Sequence, residues 1–271
     1  MNQPLGEVFG LMAEDTSPKA KLERESNNCP FSSNLCTKDK ANDPLGVCSV
    51  RDVNQNLVIT CPVRFKEDMI IAEEVSEFFF PGNDNWALIP EVRLDDIHGK
   101  SAGNIDLVIA LLDEDRKIID FGSVEIQAVY ISGNVREPFK AFMKNPELFM
   151  EQPWKGNYYP RPDFLSSSRK RLIPQVAYKG GILQSWGKKQ AIVIDKPFFE
   201  TIPTFPTCLK EEADLAWFIY ELHPNGENKF NLKLSKTIYC KFLDMIDIIN
   251  TPQPALLEDF MTYLDGKLRR L

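Results

Sequence analysis

Two apolar runs, at about residues 104–112 and 117–131, flank the charged pentad DEDRK, and they predict two strands joined by a tight polar turn. Antiparallel pairing about residue 115 sets positions summing to about 231 opposite one another, so Asp106 meets Glu125. The two-residue period of a strand then puts Glu125, Gln127 and Val129 on one face and Val124, Ile126, Ala128 and Tyr130 on the other.

The same reading along the rest of the chain predicts alternating elements. Residues 1–28 are polar, mixed in charge and without period, and read as a mobile arm. A helix is expected at about 65–80, with Ile70, Ile71, Val75, Phe78 and Phe79 as its apolar stripe, and WALIPEVRL after it as an extended segment. REPFKAFMKNPELF predicts a helix interrupted at Pro146, and WKGNYYPRP a loop. Asp163 can cap a helix over about 164–186 that carries Leu165, Leu172, Val176 and Leu183 on one side and is kinked or split by Pro174. QAIVID reads as a central strand, ADLAWFIYEL and FNLKLSKTIYCKF as further strands, and LLEDFMTYLDGKLRRL as an amphipathic helix. The sum is an α/β chain: a mixed sheet with helices on both sides.

Composition narrows the setting. A chain of 271 residues with 43% hydrophobic and 26% charged positions can bury a full core. No signal peptide is visible at the N-terminus, and no run of about 18 apolar residues offers a membrane span, so a cytoplasmic protein with mostly reduced cysteines is expected. The net charge of −7 argues only mildly against nucleic acid, because the acids are unevenly spread. From Ser166 to Gln190 the chain carries Arg169, Lys170, Arg171, Lys179, Lys188 and Lys189 and no acid at all. On DNA such a stretch would contact phosphates, with the arginines also able to read guanine; a solvated helix face is the plainer reading.

Cys29, Cys36, Cys48 and Cys61 are separated by six, eleven and twelve residues, in a segment short of apolar side chains. Four thiolates round one tetrahedral ion would staple such a segment. Disulfides and free thiols are the alternatives. Cys208 and Cys240 sit in apolar contexts and read as core thiols, and Trp186, Tyr158 and Tyr159 as packing residues. His98 and His223 lie in no ligand-like cluster, and no GxxxxGK[ST] loop is present, which disfavours histidine nucleophiles and nucleotide-driven work.

Asp106 and Glu125 on adjacent strands, with Gln127 beside them, make a site for a hard divalent cation. The peptide carbonyl of Ile126 is a further candidate ligand. A solvated sheet face is the competing explanation for the same three residues.

The wording of three segments is more specific than any spacing. CPFSSNLC followed by TK, then GVCSV and ITCPVRF, resembles the N-terminal segment of the NotI-type restriction endonucleases. GNIDLVIA and VEIQAVY resemble that family's metal-binding strands, and SSSRKRLIPQVAYKGGILQSWGKKQAIVID its long helix and following strand, so the likeness covers roughly residues 29–202. The resemblance implies a PD-(D/E)xK nuclease core, Mg²⁺-dependent cleavage of double-stranded DNA, and a structural four-cysteine site holding iron, a site that would equally suit zinc. It matches Asp106 and Glu125 to the metal-binding carboxylates and Glu91 to an additional upstream acid. It sets Gln127 where many nucleases of the superfamily have lysine, a burden that a lysine from the 166–190 helix could take up.

The chain then divides into an arm (1–28), a four-cysteine segment (29–64) and a restriction-endonuclease-like catalytic domain (65–271). The leading expectation is a type II restriction endonuclease acting as a homodimer on a palindromic site, with no membrane partner. Its rivals are a structure-selective repair or recombination nuclease on the same core and a non-catalytic, metal-stapled DNA-binding protein.

Overall fold

The charged pentad does close a hairpin, and its register is the one that the alternation dictates. In the computed structural model, which describes residues 3–32, 34–40, 42–155 and 159–268, the pairs run from Leu107 with Val124 to Leu111 with Asp120, all summing to 231. Asp113 fastens the turn by accepting from the Lys117 N–H, and Arg116 takes a positive φ of 62°.

The chain opens with β1 (Leu5–Val8), β2 (Leu11–Met12), α1 (Pro18–Glu25), β3 (Asn28–Cys29), β4 (Asn34–Leu35), β5 (Val47–Arg51) and β6 (Leu57–Ile59). A 3₁₀ stretch, Pro62–Met69, leads to α2 (Ile70–Phe79), β7 (Trp86–Asp95), β8 (Ser101–Leu112), β9 (Ile118–Ile126) and β10 (Tyr130–Ser132). Then come α3 (Arg136–Lys144), α4 (Pro146–Glu151), β11 (Arg161–Asp163), α5 (Phe164–Ser167), a π turn at Ser168–Leu172 and α6 (Ile173–Ser185). The chain continues through β12 (Gln190–Asp195), α7 (Lys196–Phe199), β13 (Leu215–Pro224), β14 (Phe230–Cys240), α8 (Phe242–Asn250) and α9 (Leu257–Leu268). No helix among the described residues is long and apolar enough to cross a membrane.

The central sheet is mixed, in the order β14-β13-β12-β9-β8-β7. Its middle strand β12 runs parallel to both β9 and β13 and is buried throughout, as a strand covered on both faces must be. On one face α2 packs Ile71, Val75, Phe78 and Phe79 against Ile109, Val124, Ala191 and Val193. On the other, Val176 of α6 and Phe242 and Met245 of α8 meet Ile192 and Ile194. Both layers come close because glycines let them. A Cβ on Gly122 would lie 2.4 Å from the Phe79 ring, and one on Gly180 would lie 2.4 Å from the Phe242 ring.

The expected split at Pro174 takes the form of the π turn just before it. The Ile173 N–H reaches back five residues to the Ser168 carbonyl, and Pro174 follows without an N–H to place. Pro146 likewise starts α4 instead of continuing α3, with Asn145 capping the new helix at the Leu148 N–H.

The expectation of a mobile arm before residue 29 does not hold for the described residues. β1 is fully buried between β2 and β5, in a four-stranded sheet β2-β1-β5-β6 that crosses the expected boundary at residue 28. Glu7, within that polar stretch, is buried against Arg64, whose guanidinium also bonds Glu67 and the Phe230 carbonyl. The segment also contributes to the core: Leu5, Val8, Leu45, Val47, Val50 and Val58 are all buried in the cluster that holds Ile192 and Ile194.

Candidate active site

Asp106 on β8 and Glu125 on β9 stand side by side, and each feels the other's charge or that of the same neighbours. Asp106 is held by the Ile126 N–H, which donates to its Oδ2 at 2.8 Å. Burial raises its carboxyl above the usual range; the Ile126 bond and the Lys179 ammonium pull it back, and Glu91 adds to the rise. Glu125 is only 2% exposed. Burial pushes its carboxyl up to about 7 against the attraction of Lys179. Its Oε1 is buried with no hydrogen-bond partner among the described residues.

Gln127 follows one step beyond the end of β9. Its backbone N–H bonds the Val193 carbonyl, and its side-chain amide donates to the Ala128 carbonyl at 2.6 Å. Asp106, Ile126 and Gln127 floor a cleft of about 650 Å³ that runs past Tyr130 to Asn134 and Arg136. Glu91 lies on β7, the neighbour of β8, exposed and with a positive φ of 53°. Its charge reaches both carboxylates, but it completes no trio of ligands with them: among the described residues no three His, Cys, Asp or Glu side chains are grouped to hold a metal ion.

The same fact corrects the four-cysteine expectation. Cys48 and Cys61 are buried and Cys29 and Cys36 half-buried, yet they do not assemble into a site. The Lys38 ammonium sits close enough to feel Cys61, Cys48 and Cys36, and it donates to the Val47 carbonyl and to Thr60. Burial pushes the Cys48 thiol well up and the Cys36 thiol up. The iron or zinc expectation thus finds no support among the described residues. Among the other cysteines, Cys240 is a buried core thiol and Cys208 is half-buried.

The six cations expected on one DNA-facing stretch separate into three groups. Arg169, Lys170 and Arg171 are exposed on the π turn, with the Arg171 guanidinium 3.2 Å from the centre of the Tyr130 ring at the edge of the cleft. Lys188 pairs with Asp120, and Lys189 donates to the Phe78 carbonyl. Lys179 is not a surface residue at all. Its Nζ donates to Glu125 Oε2 at 2.6 Å, and its side chain is 1% exposed. Burial therefore removes it from any contact with phosphates. The spacing carried a signal for this: Leu172, Val176 and Leu183 mark a buried stripe, and position 179 falls on it.

Trp186 is exposed, contrary to a packing role, whereas the Tyr159 hydroxyl donates to the Gln3 carbonyl; Tyr158 lies outside the described residues. A second cleft, about 690 Å³, contains Asp195 and Tyr220 and none of the residues that the sequence singles out.

Two carboxylates, one with an orphaned buried oxygen, suit a hard divalent cation that would offset the charge burial penalises. Over residues 12–232 the chain matches the family model described as restriction endonuclease NotI. No curated protein matches it.

Proposed function

Because the chain belongs to the NotI restriction endonuclease family, we propose that it is a type II restriction endonuclease, hydrolysing phosphodiester bonds at a specific site in double-stranded DNA with Mg²⁺ held by Asp106 and Glu125. The observation that carries this reading is the buried, partnerless Oε1 of Glu125 next to Asp106, which itself lines a cleft. Mg²⁺ bound there would lower the pKa of a water and offset the charge that builds on the phosphate.

The remaining work belongs to the protein. The Ile126 N–H fixes Asp106 through Oδ2 and leaves Oδ1 for a ligand. Gln127 gives one amide N–H to the Ala128 carbonyl, which leaves its oxygen and its second N–H to orient a water. Arg171 edges the cleft over Tyr130, and with the exposed Arg169 and Lys170 beside it can hold flanking phosphates, with affinity that falls as salt rises. The core is read as the PD-(D/E)xK type in an E-x-Q form. A two-fold dimer on a palindromic site is the matching assembly.

Asp106→Ala and Glu125→Ala should each lower plasmid cleavage in Mg²⁺ by roughly 10²–10³-fold or more, with DNA binding in Ca²⁺ retained. The wild-type digest should give discrete fragments. Full cleavage by both variants would remove the assignment.

A further inference from the structure

Lys179 lies on α6, on the stripe it shares with Leu172, Val176 and Leu183, all buried. Packing alone asks for an apolar side chain there. A buried ion pair is seldom worth more to stability than well-packed apolar residues of the same volume, so the ammonium calls for another explanation. Its surroundings supply one. Nζ has three donors and meets three acceptors: Glu125 Oε2 at 2.6 Å, the Asn104 carbonyl at 2.6 Å and Gln175 Oε1 at 3.0 Å. No donor is left for a water or a phosphate. Asn104 lies two residues before Asp106 on β8, so the one ammonium ties both carboxylate-bearing strands to α6. The other oxygen of Glu125 is the one left buried and unbonded.

We infer that Lys179 is the positioning residue of the carboxylate pair: it grips Oε2 of Glu125 from inside the fold and so presents Oε1 alone to the divalent cation. This rests on the nuclease reading above and deepens it. The lysine acts through Glu125, touching neither DNA nor water. Outer partners of this kind set the direction of a ligating carboxylate, and their loss typically weakens metal binding about 10–100-fold.

Two measurements test it. Mn²⁺ binding to the DNA-free protein, followed by the electron paramagnetic resonance of free Mn²⁺, should weaken about 10–100-fold in Lys179→Met. In a Glu125→Gln background the same change should add nothing. A purely structural lysine would lower the melting temperature and leave Mn²⁺ affinity alone. A folded Lys179→Met protein that binds Mn²⁺ as tightly as the wild type overturns the inference, as does an added loss in the Glu125→Gln background.

The second measurement needs no variant. In wild-type crystals soaked with Mn²⁺, the anomalous peak should lie on Oε1 of Glu125, with Lys179 still on Oε2. A peak on Oε2 with the lysine displaced refutes the positioning role and leaves the nuclease reading standing. Mn²⁺ at neither carboxylate removes the nuclease reading itself.

Discussion

Asp195→Asn should make the stability of this protein less dependent on pH, and the size of the change follows from where Asp195 sits. It ends the central strand β12, is 1% exposed, and accepts the Ile59 N–H through Oδ2 at 2.7 Å and the Phe198 N–H through Oδ1 at 3.2 Å. Burial pushes its carboxyl from 3.8 up to about 7, although both N–H bonds favour the charged form. The folded protein thus holds this proton more tightly than the unfolded chain does. The stability it contributes is complete below the unfolded value, 3.8, and is lost as pH rises through the folded one, about 7. Moving a carboxyl over that interval is worth about 4 kcal/mol, of which roughly 3 kcal/mol falls between pH 5 and pH 8. Asparagine does not titrate, but its single oxygen can satisfy only one of the two N–H groups, which costs about 1–3 kcal/mol at every pH. The difference between the two proteins should therefore move by about 3 kcal/mol towards the variant between pH 5 and pH 8. Urea unfolding at pH 5, 6, 7 and 8 in EDTA measures this, and the subtraction cancels every other titrating group. A difference that stays constant across that range would refute the reasoning.

Arg64→Met leaves Glu7 and Glu67 without their buried partner and should cost about 3–5 kcal/mol in urea unfolding. Adding Glu7→Leu should recover much of that loss, since the bare acid is then gone. For the DNA surface, replacing Arg169 and Lys170 together with alanine should weaken binding in Ca²⁺ alike on cognate and random duplexes. Each cation taken off a phosphate should also make the log–log salt slope shallower by about 1. Fluorescence anisotropy across a salt series reads both, and an unchanged slope would show that these side chains do not hold phosphates.

The hairpin and the α2 layer were legible because their information is local. A charged pentad fixes the centre of the turn, alternation fixes the faces, and Ile71, Val75, Phe78 and Phe79 repeat at helical spacing. The N-terminal strand was not legible, because Glu7 looks solvated until Arg64, 57 residues away, is seen to cover it. Charge on Lys179 misled in the same way: six cations without an acid look like one surface, and only the stripe of Leu172, Val176 and Leu183 distinguishes the buried one from the rest. Spacing among the cysteines could not reveal that Lys38 would stand among them. In each case the missing fact was a tertiary partner for a charged side chain, which periodicity does not encode.

The hairpin's ladder has a bulge between Leu111 and Leu112, where the closing pair, Leu112 with Ile118, departs from the register kept by every pair below it. The irregularity lies at the turn end, and Asp106 and Glu125 lie at the other. Adjustments in the loop are thus taken up before they reach the carboxylates, and the exposed Glu114 and Asp115 form a handle mechanically decoupled from the chemistry. A label or affinity tag inserted there would ride on the enzyme without altering its cut.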